Sequence, residues 1–257
     1  MRDDVPRQKF HYDWHWQWDY GNGDLGNQGI HQMDVARWGL NEPKLAESVV
    51  TFGGRLGYED DGQTPNTEMS ILQYGDRLLI FETRGLVTKR FQGEEVGQHV
   101  GNVFHCENGY LACDYESAAV FDKEGKQVKQ FSGGADHFEN FIQAVRSRKP
   151  ADLNGEIEEG HVSSALCHLA NISYRLGAPQ AFGEAPEALA GNEFATDLFS
   201  RTKTHLEENG VKLAEAQYTL GSKLAFDPGV ERFVNNSAAD ALLTREYRKG
   251  YEVSAQA

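Results

Sequence analysis

The spacing of apolar positions changes twice along the chain and divides it into three stretches. In residues 1–40 no regular alternation survives in FHYDWHWQWDY (10–20), which predicts a loop or extended segment. The glycine-rich turn Gly21–Gly26 follows, and Asn27–Leu40 then reads as a short helix that Gly39 helps to stop. Residues 47–131 switch to short apolar runs typical of strands. The runs are Ser48–Gly57, Glu68–Tyr74, Arg77–Thr83, Val100–Cys106, Gly109–Tyr115, Ala118–Asp122 and Lys126–Phe131. Tight turn sequences at Gly75-Asp76, Asn108-Gly109 and Glu124-Gly125 connect several of them, and short connections favour antiparallel pairing.

The helical period returns after Phe131. Asp136 with Glu139 resembles a capping box, and Phe138, Phe141, Ile142 and Val145, at i, i+3, i+4 and i+7, mark an amphipathic helix ended by Pro150. A longer helix, Glu156–Leu176, turns Val162, Leu166, Leu169 and Leu176 inward. Residues 178–200, rich in Ala, Gly, Pro and Glu, read as a surface insertion. Helices are expected over Thr202–Ala216 and near Ala238–Thr244. A helix, then strands, then helices predict a single α+β domain: one large, mainly antiparallel sheet, covered by helices on one face and turned to a partner copy on the other.

At 257 residues the chain is long enough for one substantial core. The formal charge of −14 repels a phosphate backbone and disfavours nucleic acid as a partner. No apolar run reaches the roughly 20 residues of a membrane span, and no signal peptide is visible, so the cytoplasm is the expected compartment. Three cysteines cannot all pair within one chain and are expected as free thiols. Gly21–Gly26 is a G-x-G-x-x-G string, but no β-branched strand precedes it and no βαβ unit follows, so a nucleotide loop is not expected there.

On the predicted helix, Asn27, His31, Asp34 and Trp38 share one narrow sector. An imidazole with a carboxylate one turn away is a general acid/base arrangement; the same residues also suit a helix start packed on a sheet. His15, Trp16, Trp18 and Asp19 combine aromatic faces, which stack on sugar rings, with groups that bind hydroxyls; an aromatic core segment accounts for them equally. His161 and His168 lie on a polar stripe of the long helix. A shared metal there would need a third ligand from elsewhere, and no metal is expected.

The run WHWQWDYGNGDLGNQGIHQMDVARWGL (14–40) resembles the glucose–fructose oxidoreductase/inositol dehydrogenase-like (Gfo/Idh/MocA) family, in its bacterial branch with a long C-terminal domain. TPNTE (64–68), FETRGL (81–86), HFENFIQAVRSRK (137–149), EEGHVSSALCHLANISYRLG (158–177) and ALLTREYRK (241–249) fit the same branch. The resemblance implies an α+β domain that contacts a sugar, polyol or glycoside and oligomerises through its sheet. The NAD(P) in such proteins lies on a separate N-terminal Rossmann domain. The family pattern D-x-G-x-H falls on Asn27–His31, which makes His31 the implied acid/base. Asn27 stands where the wider family has a carboxylate; it binds a hydroxyl but takes no proton. Arg84 and His161 enter as substrate contacts through their place in matching stretches.

The Rossmann half is missing, and with it the lysine of the family's E-K-P motif, so this chain alone is expected to bind no cofactor. Three readings follow: the substrate-binding and catalytic portion of a sugar oxidoreductase completed by a Rossmann-domain partner; a stand-alone cofactor-free lyase or hydrolase on glycosides or keto-glycosides; or a non-catalytic sugar-binding or assembly module.

Overall fold

The computed structural model describes residues 10–253 except 89, 92, 93 and 96–99. Its helices are α1 (Phe10–Asp13), α2 (Gly23–Asn27), α3 (Gly29–Leu40), α4 (His137–Ser147), α5 (Ile157–Arg175), α6 (Glu193–Glu208) and α7 (Ser237–Asp240). Its strands are β1 (Ser48–Gly54), β2 (Thr67–Tyr74), β3 (Arg77–Arg84), β4 (Arg90–Phe91), β5 (Glu94–Glu95), β6 (Asn102–Cys106), β7 (Gly109–Cys113), β8 (Ser117–Phe121), β9 (Gln127–Ser132), β10 (Ala178–Ala181), β11 (Gln217–Leu220), β12 (Leu224–Asp227) and β13 (Arg232–Phe233). The α+β class is as the sequence predicts.

The expected single sheet is instead divided. The main sheet joins β1–β3 to the late strands β10–β13, while β6–β9 form a separate four-stranded meander and β4–β5 a hairpin. β11 and β12 lie end to end along one edge of β1, with Leu220 opposite Phe52 and Ala225 opposite Ser48; β2 takes the other edge. These late strands are two to four residues long, too short to show a period, which is why 178–233 reads as insertion, helix and tail. The helix expected at Thr202–Ala216 runs earlier, over Glu193–Glu208, started by the Asn192 side chain accepting from the Ala195 amide.

β1 and β2 are buried on both faces. On one face Val49, Leu72 and Leu79 pack with Leu25, Met33, Leu166 and Leu169 from α2, α3 and α5. On the other, Val50, Phe52, Met69 and Ile71 pack with Leu198 and Phe199 of α6 and with Tyr218. The second face is thus covered by the chain's own α6 rather than turned to a partner, because Phe52, Met69 and Ile71 would otherwise stand in water. α3 is held to α5 by the buried Arg37, which donates to Ser163 Oγ at 2.9 Å and to the Glu42 carbonyl at 3.0 Å and pairs with Glu159.

The stretch that carries the meander and α4 is of a different kind. From Val100 through His161 no residue is buried. Asp136 caps α4 as expected, its side chain accepting from the Phe138 and Glu139 amides, and the apolar stripe of the amphipathic helix is exposed: Phe138 and Phe141 are 70% and 60% accessible. The meander docks on α3 through Asn102, which donates to the Gln32 carbonyl at 2.8 Å, and through Phe104, whose ring leaves only 1.9 Å for a Cβ on Gly39. Gly39→Val therefore pushes the meander off α3. Amide exchange should accelerate in β6–β9 while β1 and β2 stay protected; equal protection in both sheets would show that Gly39 is not the seat of docking.

Candidate functional site

A cleft of about 1710 Å³ opens between β3, α3, β6 and the start of α6. Its polar end is built from residues 16–60 together with Arg84 at the end of β3. The glycines of the G-x-G-x-x-G string explain how. A Cβ on Gly21 would meet the His15 carbonyl at 2.6 Å, and one on Gly26 would meet the Asn22 side chain at 2.1 Å. Gly23 has φ +75° against Thr64. These glycines fold α2 tightly beneath the aromatic segment. What precedes α2 is a short 3-10 turn, Trp14–Trp16, not a strand, and α2 is only five residues long. The string does not fit a dinucleotide phosphate.

Folded this way, the Trp16 indole donates to Asp24 at 3.2 Å, and both line the cleft with Gln28, Arg55, Tyr58, Asp60 and Arg84. Burial pushes the Asp24 carboxyl up from its ordinary value, against the Trp16 hydrogen bond and the charges of Arg55 and His15. Arg55 is held by Asp60 and by the Thr64 carbonyl, 3.0 Å from its Nη1, and its guanidinium lies 5.3 Å from the Tyr58 ring centre. Across the cleft, Arg84 and Arg201 both hold Glu82, Arg201 at 2.8 Å. Beside them His205 is buried and pushed down to about 4, by burial and then by the Arg84 charge, so its imidazole is neutral.

Of the residues singled out from the sequence, Trp16 and Arg84 line the cleft. The expected helix Asn27–Leu40 is broken at Gln28, so Asn27 ends α2 and His31 stands on the first turn of α3. Both are exposed, beside Gln28, which lines the cleft. The His31 amide donates to the Gln28 carbonyl at 3.2 Å. Its ring meets Tyr115 edge-on, with centres 6.2 Å apart, and Gln32 donates to the same Tyr115 hydroxyl at 2.7 Å. Asp34 is drawn away from His31 into the contact between α3 and α5, where Ser163 donates to it and Arg37 lies at 3.6 Å.

The remaining residues lie elsewhere. His15 stacks on Trp14 at 4.0 Å. Trp18 sits against Tyr174, with Arg175 at 5.3 Å. The Asp19 carbonyl accepts from Arg245 at 2.9 Å. His161 pairs with Glu231 at 3.0 Å on the exposed side of α5. Sequence reasoning missed Asp24, Gln28, Arg55, Glu82 and Arg201. Asp24 is the one signal that was available, a carboxylate between two of the packed glycines. Among the described residues no cluster of three or more His, Cys, Asp or Glu is placed to hold a metal.

Beneath this end lies Glu68 on β2, 1% exposed, opposite Gly53 and Thr83; its Oε1 has no hydrogen-bond partner. Burial, with Asp24 as a like-charged neighbour, pushes its carboxyl up to about 8, so it is protonated near neutrality. Cys167 of α5, in the same interior, is pushed up to about 12 by burial and then by the Glu68 charge.

No family model and no curated protein matches the chain. Solved structures do resemble its fold. A Thermotoga maritima protein assigned as an oxidoreductase aligns over 65% of this chain and 48% of its own at TM-score 0.49 and 18% identity. The WlbA dehydrogenase of Bordetella pertussis, solved with NADH and UDP-GlcNAcA, aligns over 66% and 49% at 0.41 and 17%. A Klebsiella pneumoniae protein, also assigned as an oxidoreductase, aligns over 72% and 54% at 0.44 and 13%. The chain thus spans about half the length of these structures.

The Glu68 shift has a stability consequence. A carboxyl whose folded value lies above its unfolded one contributes stability that is fully present below about 4.5 and is lost as pH rises through about 8. The melting temperature should fall between pH 5 and pH 9, and Glu68→Gln should flatten that fall. A variant with the parent's pH profile would remove Glu68 as its source.

Proposed function

We propose that this chain is the substrate-binding and proton-transferring portion of a sugar- or glycoside-active oxidoreductase, with its nicotinamide nucleotide held by a separate domain. The observation that carries this reading is the polar end of the cleft. There Trp16 offers an aromatic wall, while Asp24, Gln28, Arg55 and Arg84 offer hydroxyl-binding groups, next to the turn that presents His31. A pyranose on Trp16 has donors and acceptors around its hydroxyl rim. His31, on the exposed side of the same turn, takes the proton from a reacting hydroxyl or returns it, and Asn27 beside it binds a neighbouring hydroxyl without titrating. The resemblance of residues 14–40 to the sugar oxidoreductases supports the same roles.

Hexoses, hexuronates and methyl glycosides titrated against tryptophan fluorescence test the reading. At least one should bind saturably, and Trp16→Leu should weaken it at least tenfold. His31→Ala should keep binding within about twofold while abolishing turnover of any sugar. NADH and NADPH should not bind this chain saturably at micromolar concentration. Unchanged turnover in His31→Ala, or saturable NADH binding, would overturn the assignment.

We also propose that the meander and α4 pack against a second copy. Phe138, Phe141, Ile142 and Val145 on α4, and Val128 and Phe131 on β9, are each exposed, within a stretch of chain, Val100–His161, in which no residue is buried. Light scattering should give a dimer or larger assembly, and Phe141→Asp should give monomers. A monomeric parent would remove this interface.

A further inference from the structure

Tyr115 is an exposed tyrosine whose hydroxyl is taken up by the helical segment that carries His31. It stands in the turn joining β7 to β8 and is 62% exposed. Asp114 fixes that turn. Its side chain accepts from the Glu116 and Ser117 amides, both at 2.8 Å, and its own amide donates to the Ser117 carbonyl at 3.0 Å. The turn brings Tyr115 to the start of α3, although Gln32 lies 83 residues away in the chain.

There the phenol oxygen meets two amides. Gln32 Nε2 donates to it at 2.7 Å, and Gln28 Nε2 donates to it as well. Gln28 also donates to Gln32 Oε1 at 3.3 Å, which leaves the nitrogen of the Gln32 amide for the phenol. A phenol oxygen has two acceptor positions and one proton. Both acceptor positions are filled, so Tyr115 has its donor left to give. Gln28 and Gln32 line the cleft, and His31 lies between them in the chain, its ring edge-on to Tyr115 with centres 6.2 Å apart. Packing does not account for a tyrosine that stands mostly in water, and the meander has its own contacts with α3 through Asn102 and Phe104.

We propose that Tyr115 is a substrate contact, whose hydroxyl donates to a sugar oxygen beside His31. This role rests on the sugar reading of the cleft and adds to it a residue from the second sheet. A phenol held in this way gives a hydrogen bond and accepts no further one. It therefore recognises one oxygen of the sugar, and replacing that hydroxyl by hydrogen removes the contact.

The probe is whichever hexose, hexuronate or methyl glycoside binds the parent most tightly in the fluorescence titration, together with its monodeoxy analogues. Tyr115→Phe should bind that sugar at least tenfold more weakly. One monodeoxy analogue should be weakened as much in the parent, and Tyr115→Phe should bind that analogue as well as the parent does, because the contact is already gone. Amide exchange in β6–β9 should match the parent's, since Asn102 and Phe104 keep the meander docked. Parental affinity in Tyr115→Phe would overturn the proposal. So would weakening accompanied by fast exchange in β6–β9, which would make Tyr115 a tether, or weakening by the same factor for the sugar and every analogue. The sugar reading fails by a different result, in which no sugar binds the parent and this proposal falls with it. Binding lost in Trp16→Leu but kept in Tyr115→Phe removes the role of Tyr115 alone.

Discussion

The structure depends on two strands that bury both of their faces. Val50 and Phe52 of β1 point one way, Val49 and Thr51 the other, and β2 repeats the division with Met69 and Ile71 against Leu72 and Tyr74. A strand in this position needs an apolar layer on each side. One layer is α2, α3 and α5; the other is α6, brought back late in the sequence. Once both layers are in place, β3 with its half-buried residues is left as the margin of the main sheet, and the cleft forms along that margin.

Two-sided burial also explains the polar residues inside. Thr51, Thr67, Glu68 and Ser70 lie on strands with no solvent face, so each must find a partner or stay uncharged. Thr51 and Ser70 satisfy one another at 3.2 Å, and Ser173 donates to the Ser222 carbonyl at 2.7 Å. Glu68 finds no cation and keeps its proton instead. The same interior thus contains a neutral acid beneath Asp24, and the polar end of the cleft rests on a floor whose charge depends on pH.

Much of the local structure was legible in the sequence. The hairpins announce themselves through Gly75, Gly109 and Gly125, which all take positive φ, and α5 through the spacing of Val162, Leu166 and Leu169. What could not be read is which faces meet. The stripe of α4 has the period of a core helix, yet nothing in Phe138, Phe141 or Ile142 distinguishes an intramolecular partner from another molecule. The site was legible in part. Trp16 stands out in its aromatic segment and Arg84 in a family-like stretch, and both line the cleft. Arg201 does not stand out, because Glu82, which it meets across the cleft, lies 119 residues away and no local pattern encodes that meeting; Arg55 and Asp24 have partners nearby in the chain, Asp60 and Trp16, but nothing in those spacings marks a cleft.

The arrangement of β11 and β12 along β1 carries a consequence for how the molecule forms. Ser48 pairs with Ala225 and Phe52 with Leu220, so the central strand obtains one of its two neighbours from more than half a chain away. During synthesis β1 emerges early, with one edge and one apolar face uncovered until the residues beyond 190 have left the ribosome. Such long-range closure makes for slow folding, and the waiting intermediate offers Val50 and Phe52 to any other unfinished chain. Yield of folded protein should therefore respond more to translation rate and holding chaperones than to the stability of the finished fold.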